Sequence, residues 1–181
     1  YAPGAIDENI GGRTMRELTG MTLVQRYEKG PLQVKVTGDG YTYGPPVPLT
    51  PRFVCVDDKA DVLGMLAGTP YGGLASGQMG KTRSVWSGAT HLPASLLRSI
   101  ARDADVHLWT EPGDAVYVRE NVLALRAGQD GEHVVRLPQL AQVYDLETGK
   151  AVGPKSSEFR VRLKQGGSDV LLGEWASAAV V

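Results

Sequence analysis

Trp86-Ser-Gly-Ala-Thr-His-Leu-Pro-Ala-Ser-Leu-Leu-Arg-Ser-Ile-Ala-Arg-Asp-Ala-Asp-Val-His-Leu-Trp109 is the stretch whose reading decides the fold. Val85 and Trp86 end an apolar run, and Ser87-Gly88 breaks it. Pro93 suits the first turn of a helix, where its missing N–H would be unpaired in any case. Leu96, Leu97, Ile100, Ala101 and Ala104 follow at helical spacing and predict one buried stripe. Val106 to Trp109 then reads as extended. A β-loop-α-β unit of this kind predicts an open α/β sheet, in which ligands gather at the carboxyl ends of the strands.

Upstream, Tyr1-Ala-Pro-Gly4 reads as the end of a strand and its exit turn, and Arg13 to Leu18 as a short helix capped by Gly20. Strands are predicted over Thr22 to Tyr27, Leu32 to Thr37, Arg52 to Val56, Val62 to Ala67, Leu74 to Ser76 and Thr82 to Trp86. Turns are predicted at Gly38-Asp-Gly40 and Thr69-Pro-Tyr-Gly-Gly73. The proline-rich Gly44 to Pro51 predicts an irregular connection, because proline supplies no ladder donor.

From Glu111 onward the helical period is lost. Short strands follow over Ala115 to Arg119, Val122 to Arg126, His133 to Leu137, Ala141 to Asp145, Glu158 to Leu163 and Asp169 to Gly173. Phe159, Val161 and Leu163 alternate with Arg160, Arg162 and Lys164, which gives one inward and one wet face. These strands predict a small antiparallel β-sandwich. The expected organisation is an α/β domain over 1–110, flavodoxin-like but partial, followed by a β-sandwich domain over 111–181.

Composition narrows the function. The 181 residues carry 19 basic and 20 acidic side chains, a net charge of −1, with no basic block to support nucleic-acid binding. No apolar run reaches the roughly 18 residues of a membrane span. No signal peptide is evident, although a chain opening on Tyr1 invites the expectation of a processed or truncated product. Cys55 is the sole cysteine and sits within Phe53-Val-Cys-Val56, which marks it as a small packing residue and leaves the compartment open.

Reactive constellations are sparse. Ser87 and His91 form the best nucleophile–base pair, on a strand-to-helix turn, but no Gly-x-Ser-x-Gly elbow surrounds them and a turn-and-cap role is the simpler account. His91, His107 and His133 lack metal-ligand spacing. Asp57-Asp58 would face opposite ways on a strand and suit an Asx-type cap, while Glu111 and Asp114 flank the turn Pro112-Gly113. Gly72-Gly73, Gly77 and Gly80-Lys81 lack the P-loop pattern. No cofactor is called for. Aromatic side chains could pack on sugar rings, with Tyr41, Tyr43, Tyr71, Trp86, Trp109 and Trp175 as candidates, and Trp86, Trp109 and Tyr71 favoured.

Tyr1-Ala-Pro-Gly4, Leu18-Thr-Gly-Met21, Val56-Asp-Asp58, Leu63-Gly64 and Trp86-Ser-Gly-Ala-Thr-His-Leu-Pro93 together resemble the C-terminal portion of bacterial beta-galactosidase-like glycoside hydrolases. The likeness continues through Leu96 to Arg102, Val106-His-Leu-Trp109, Gly113-Asp114, Leu123-Ala-Leu125 and Val143-Tyr-Asp-Leu-Glu-Thr-Gly149. Arg126 departs from it, standing where the family pattern carries histidine.

The resemblance implies an order of domains: a catalytic TIM barrel, an amidotransferase-like α/β domain often used for trimerisation, and a terminal β-sandwich. It further implies that Tyr1 begins inside the α/β domain and that both catalytic carboxylates sit on a barrel outside this sequence. The expected role is therefore a non-catalytic accessory and oligomerisation region whose partners are the remainder of a parent chain or identical subunits. A partial α/β sheet would expose an edge that seeks such partners. The alternatives are a carbohydrate-binding module and, behind it, a stand-alone hydrolase using Ser87 and His91.

Overall fold

The computed structural model describes residues 12–38 and 40–173. The expected strand end at Tyr1 to Gly4, the middle of the Gly38-Asp-Gly40 turn and the candidate Trp175 lie outside the described residues. The chain divides into two compact units between Pro93 and Ala94. That division lies ahead of residue 110 and groups the decisive helix with the C-terminal strands.

In the first unit, α1 (Arg13–Thr19) buries only Met15 and ends at Gly20, whose left-handed backbone (φ 71°) lets its N–H reach the Arg16 carbonyl at 2.7 Å. The strands are β1 (Leu23–Arg26), β2 (Gly30–Pro31), β3 (Val34–Val36), β4 (Thr42–Tyr43), β5 (Pro48–Leu49), β6 (Arg52–Cys55), β7 (Asp61–Leu66), β8 (Gly72–Met79) and β9 (Thr82–Ser87). Seven of them form one sheet in the order β1-β6-β8-β7-β3-β4, with β9 also on β8, while β2 and β5 pair separately.

Glycine makes β8 work. The sequence assigns Gly73 to a turn, yet it lies inside the strand, where a Cβ would stand 2.8 Å from the Leu66 amide nitrogen and 2.7 Å from the Val34 side chain. Only a residue without a side chain lets the strands approach so closely. Met15, Met21, Leu23, Phe53, Cys55, Ala75 and Trp86 form the core of this unit.

Every pairing in this sheet is antiparallel. The expected α/β unit of flavodoxin type is not seen in the described residues, where an antiparallel sheet with one short helix stands instead. The physical reason lies after α2 (Ala94–Asp103). Asp105 turns the chain in a left-handed conformation (φ 54°), the Val106 N–H closes back onto the Ala101 carbonyl at 2.9 Å, and Val106 is exposed. Val106 to Trp109 joins no strand, and Thr110 bridges Val135 instead. The predicted apolar stripe of α2 is only partly buried: Leu96 is covered while Leu97 is exposed.

The second unit matches the predicted strands closely: β10 (Ala115–Arg119), β11 (Val122–Arg126), β12 (Gly131–Ala141), β13 (Val143–Asp145), β14 (Ser156–Leu163) and β15 (Ser168–Gly173). They form a four-stranded sheet, β10-β11-β15-β13, and a two-stranded one, β12-β14. Leu123, Leu125 and Leu171 from the first sheet meet Val135, Leu137 and Val161 from the second in one core. Each of these leucines gains about 1.5–3 kcal/mol from leaving water. Among the described residues no helix is long and apolar enough to cross a membrane.

Candidate functional site

Ser87 ends β9, and its hydroxyl is fully committed. It donates to the Ala89 carbonyl at 2.8 Å, accepts from the Ala89 amide at 3.2 Å, and lies 2.7 Å from the Tyr43 hydroxyl. With its single proton on Ala89, Ser87 accepts from Tyr43. Burial pushes the Tyr43 phenol above its ordinary range, against an opposing pull from Ser87. His91 is exposed, in a left-handed conformation (φ 59°), with Nδ1 2.9 Å from Thr90 Oγ1. The structure thus assigns the Ser87 hydroxyl to a turn, with Tyr43 rather than His91 as its side-chain partner.

The favoured sugar-packing aromatics have different surroundings. Trp86 is only 8% exposed and belongs to the core of the first unit. Tyr71 lies beneath the Arg26 guanidinium, 4.3 Å from its ring centre. Trp109 falls in the second unit and joins no strand.

Trp109 does line a cleft of about 400 Å³ with Arg98, His107, Asp114, Val116 and Val118. His107 meets Trp109 edge-on, with ring centres 4.9 Å apart, and its Nε2 lies 2.8 Å from the Arg136 carbonyl. Arg98 donates from Nη2 to the Thr110 carbonyl at 2.5 Å, which leaves its buried Nε without a partner among the described residues. An aromatic ring beside a cation in a partly apolar cleft is a mixture that small polar ligands use.

Asp114 also carries the contact that spacing could not reveal. Its Oδ2 lies 2.8 Å from His133 Nδ1, and its Oδ1 accepts the Gly128 N–H at 3.0 Å. His133 Nε2 faces the Gln129 carbonyl at 3.1 Å. Nineteen positions separate the two residues, and nothing in either local sequence signals the pairing.

A second cleft of about 400 Å³, in the first unit, is lined by Arg16, Thr22, Asp57, Lys59 and Gln78 among others. Asp57 accepts the Lys59 N–H at 3.0 Å and the Thr22 N–H at 2.8 Å, which agrees with an Asx-type cap. Those amides, Lys59 first, hold its carboxyl below the ordinary range. Arg52, whose side chain sequence reasoning overlooked, is buried and donates to the carbonyls of Glu28, Pro31 and Ala67 at 3.1–3.4 Å.

Among the described residues, no three His, Cys, Asp or Glu side chains gather as a metal site would require. Burial raises the Cys55 thiol above its ordinary value, as for an unreactive packing residue. Asp145 and Asp169 are a carboxylate pair shifted in opposite directions. Burial and then the Asp145 charge push Asp169 up, while the Thr148 amide and hydroxyl hold Asp145 down. Asp145 is occupied as the cap of the 145–148 turn, through Thr148 N at 2.6 Å and Oγ1 at 2.9 Å.

No family model matches this sequence, and no curated protein matches it. Solved structures do. Gan42B, a GH42 beta-galactosidase from G. stearothermophilus, superposes with TM-scores of 0.54 and 0.56 in two structures, at 19% identity over 94% of this chain and 27% of its own. The chain shares its fold with a segment of GH42 beta-galactosidases.

The beta-galactosidase from Bacillus circulans sp. alkalophilus gives a TM-score of 0.53 at 17% identity, over 87% of this chain and 25% of its own. That from Rahnella sp. R3 gives 0.54 at 13%, over 93% and 27%. The chain thus spans about a quarter of the length of these beta-galactosidases. Identity this low carries the fold across and not the residues of a site.

Proposed function

We propose that this chain is a non-catalytic accessory and oligomerisation region of a beta-galactosidase-like glycoside hydrolase, packing against a catalytic barrel or against other subunits. The observation that carries this reading is the asymmetry of the match, 94% of this chain against 27% of the neighbour. Its best reactive groups support it, since Ser87 is bound to a turn and Asp114 to His133. Trimerisation and an amidotransferase-like ancestry remain part of this proposal, resting on the sequence resemblance alone.

Sequencing the coding region upstream of Tyr1 tests it. A barrel carrying two opposed carboxylates is the expected result; an unrelated domain there overturns it. The isolated chain should also leave nitrophenyl galactosides intact, and turnover by it would overturn the non-catalytic role.

A second reading, carbohydrate binding, is favoured by one observation: Trp109 shares a cleft with Arg98 and His107. Affinity electrophoresis in galactan gels should show retardation that Trp109→Ala abolishes and Tyr71→Ala does not. Equal mobility with and without galactan ends that reading.

A further inference from the structure

The cleft beside Trp109 holds a cation without a counter-charge among the described residues. Arg98 stands on α2, half-buried, with Nη2 tied to the Thr110 carbonyl at 2.5 Å. That carbonyl orients the guanidinium and leaves its charge in place. Other arginines of the same unit do find carboxylates: Arg136 meets Glu111 and Glu158, and Arg160 meets Glu132 and Glu158. The carboxylate that lines the cleft, Asp114, is spent on the Gly128 N–H and on His133, with its side chain 6% exposed. A guanidinium held in place and unpaired favours an anionic ligand group, because hydrogen bonds between ions are roughly twice as strong as neutral ones.

The rest of the lining suits a sugar ring. Trp109 supplies an aromatic wall, Val116 and Val118 add apolar surface, and the volume of about 400 Å³ falls within the roughly 300–1,000 Å³ of small-ligand sites. His107 Nε2 lies 2.8 Å from the Arg136 carbonyl, which only accepts. Nε2 therefore carries a proton, and Nδ1 is left to meet a hydroxyl. A bare inorganic anion would use Arg98 and waste the aromatic wall. A neutral sugar would use the wall and leave the cation unanswered. An acidic sugar uses both.

We propose that this cleft binds an acidic saccharide, with a uronate carboxylate on Arg98 and the sugar ring against Trp109. The proposal deepens the carbohydrate-binding reading of the cleft and rests on it.

Isothermal titration calorimetry of the full chain with trigalacturonate, its methyl ester and galactotriose tests it. The acid and its ester share every ring and linkage and differ in the ionised carboxyl group. Trigalacturonate should bind about tenfold more tightly than either neutral probe. Arg98→Gln should reduce it to the level of the ester while circular dichroism shows a folded chain. The ester comparison needs no variant, so it decides the matter even if that substitution unfolds the protein.

Equal affinity for all three probes overturns the acidic preference and leaves carbohydrate binding standing. Binding of none overturns both. Trigalacturonate binding that survives Arg98→Gln and Trp109→Ala lies elsewhere on the chain and overturns the assignment to this cleft. Displacement of trigalacturonate by triglutamate at equal concentration reveals an anion site indifferent to the sugar ring, which also overturns the proposal.

Discussion

Asp114 Oδ2 lies 2.8 Å from Nδ1 of His133, with both side chains almost wholly buried. The contact joins the turn before β10 to β12, and the Gly128 N–H, in the loop between β11 and β12, bonds to the same carboxylate. Nε2 faces a backbone carbonyl, which only accepts, so that nitrogen carries a proton. Removing either partner strands the other in the protein interior. Asp114→Ala and His133→Ala should each cost about 3 kcal/mol in urea unfolding. The double variant should cost clearly less than their sum. Additive losses would show that the two groups act independently.

Ser87 offers a test of turn against nucleophile. Ser87→Ala and Tyr43→Phe should each lower stability by about 1 kcal/mol, with a non-additive double variant, because one hydrogen bond joins them. His91→Asn, which retains a residue type suited to the left-handed backbone, should change stability by less than about 0.5 kcal/mol. Strong coupling between Ser87 and His91 in a double-mutant cycle would contradict the structure.

Asp169 and Asp57 should respond to pH with opposite signs. The Asp169 carboxyl is raised, so the folded chain holds its proton more tightly and its charge opposes folding once pH exceeds the folded value. Asp169→Asn should therefore stabilise by about 0.5 kcal/mol at pH 7, and the gain should vanish below the ordinary carboxylate range. Asp57 is lowered, so its contribution is present above the unfolded value and lost as pH falls through the folded one. Asp57→Asn should destabilise at pH 7 and have no effect in strong acid. Chemical unfolding of both variants between pH 2 and about 8 separates the two signs.

Arg52 is buried with its charge held by three backbone carbonyls. Arg52→Lys cannot reproduce the planar fork that reaches them. It should cost about 2 kcal/mol, read from the denaturant midpoint at constant slope. A loss within error of zero would place the stabilisation in the alkyl stem.

Trp86→Ala should cost about 3–5 kcal/mol through the cavity it opens among Phe53, Met21 and Leu23. Differential scanning calorimetry reads this directly, and a small change would mean the ring sits outside the core.

The strands of the second unit were legible because alternation has period two and glycine-containing turns at 128–131, 147–150 and 165–168 bound several of the runs. Val122 to Arg126 and Ala115 to Arg119 are read from sequence with the bounds the structure shows. The β-loop-α-β unit was not, because four apolar or half-apolar residues after a helix look the same whether they join a sheet or simply leave the helix. Asp105, in a left-handed turn, decides that question, and aspartate tolerates that conformation without requiring it. The aromatic candidates were identified by type alone, and type does not separate the core Trp86 from the cleft-lining Trp109.

The amino-acid sequence by itself determined the local terms: which segments extend, where glycine caps α1, and which face of the Glu158 to Leu163 strand is apolar. Those follow from backbone sterics and from side-chain periodicity, which act over a few residues. Tertiary structure alone decided that the first sheet is antiparallel, that Ser87 answers to Tyr43, and that Asp114 meets His133. Such pairings join residues 19 to 44 positions apart, and their energy exists only once strand register has brought both groups out of water together.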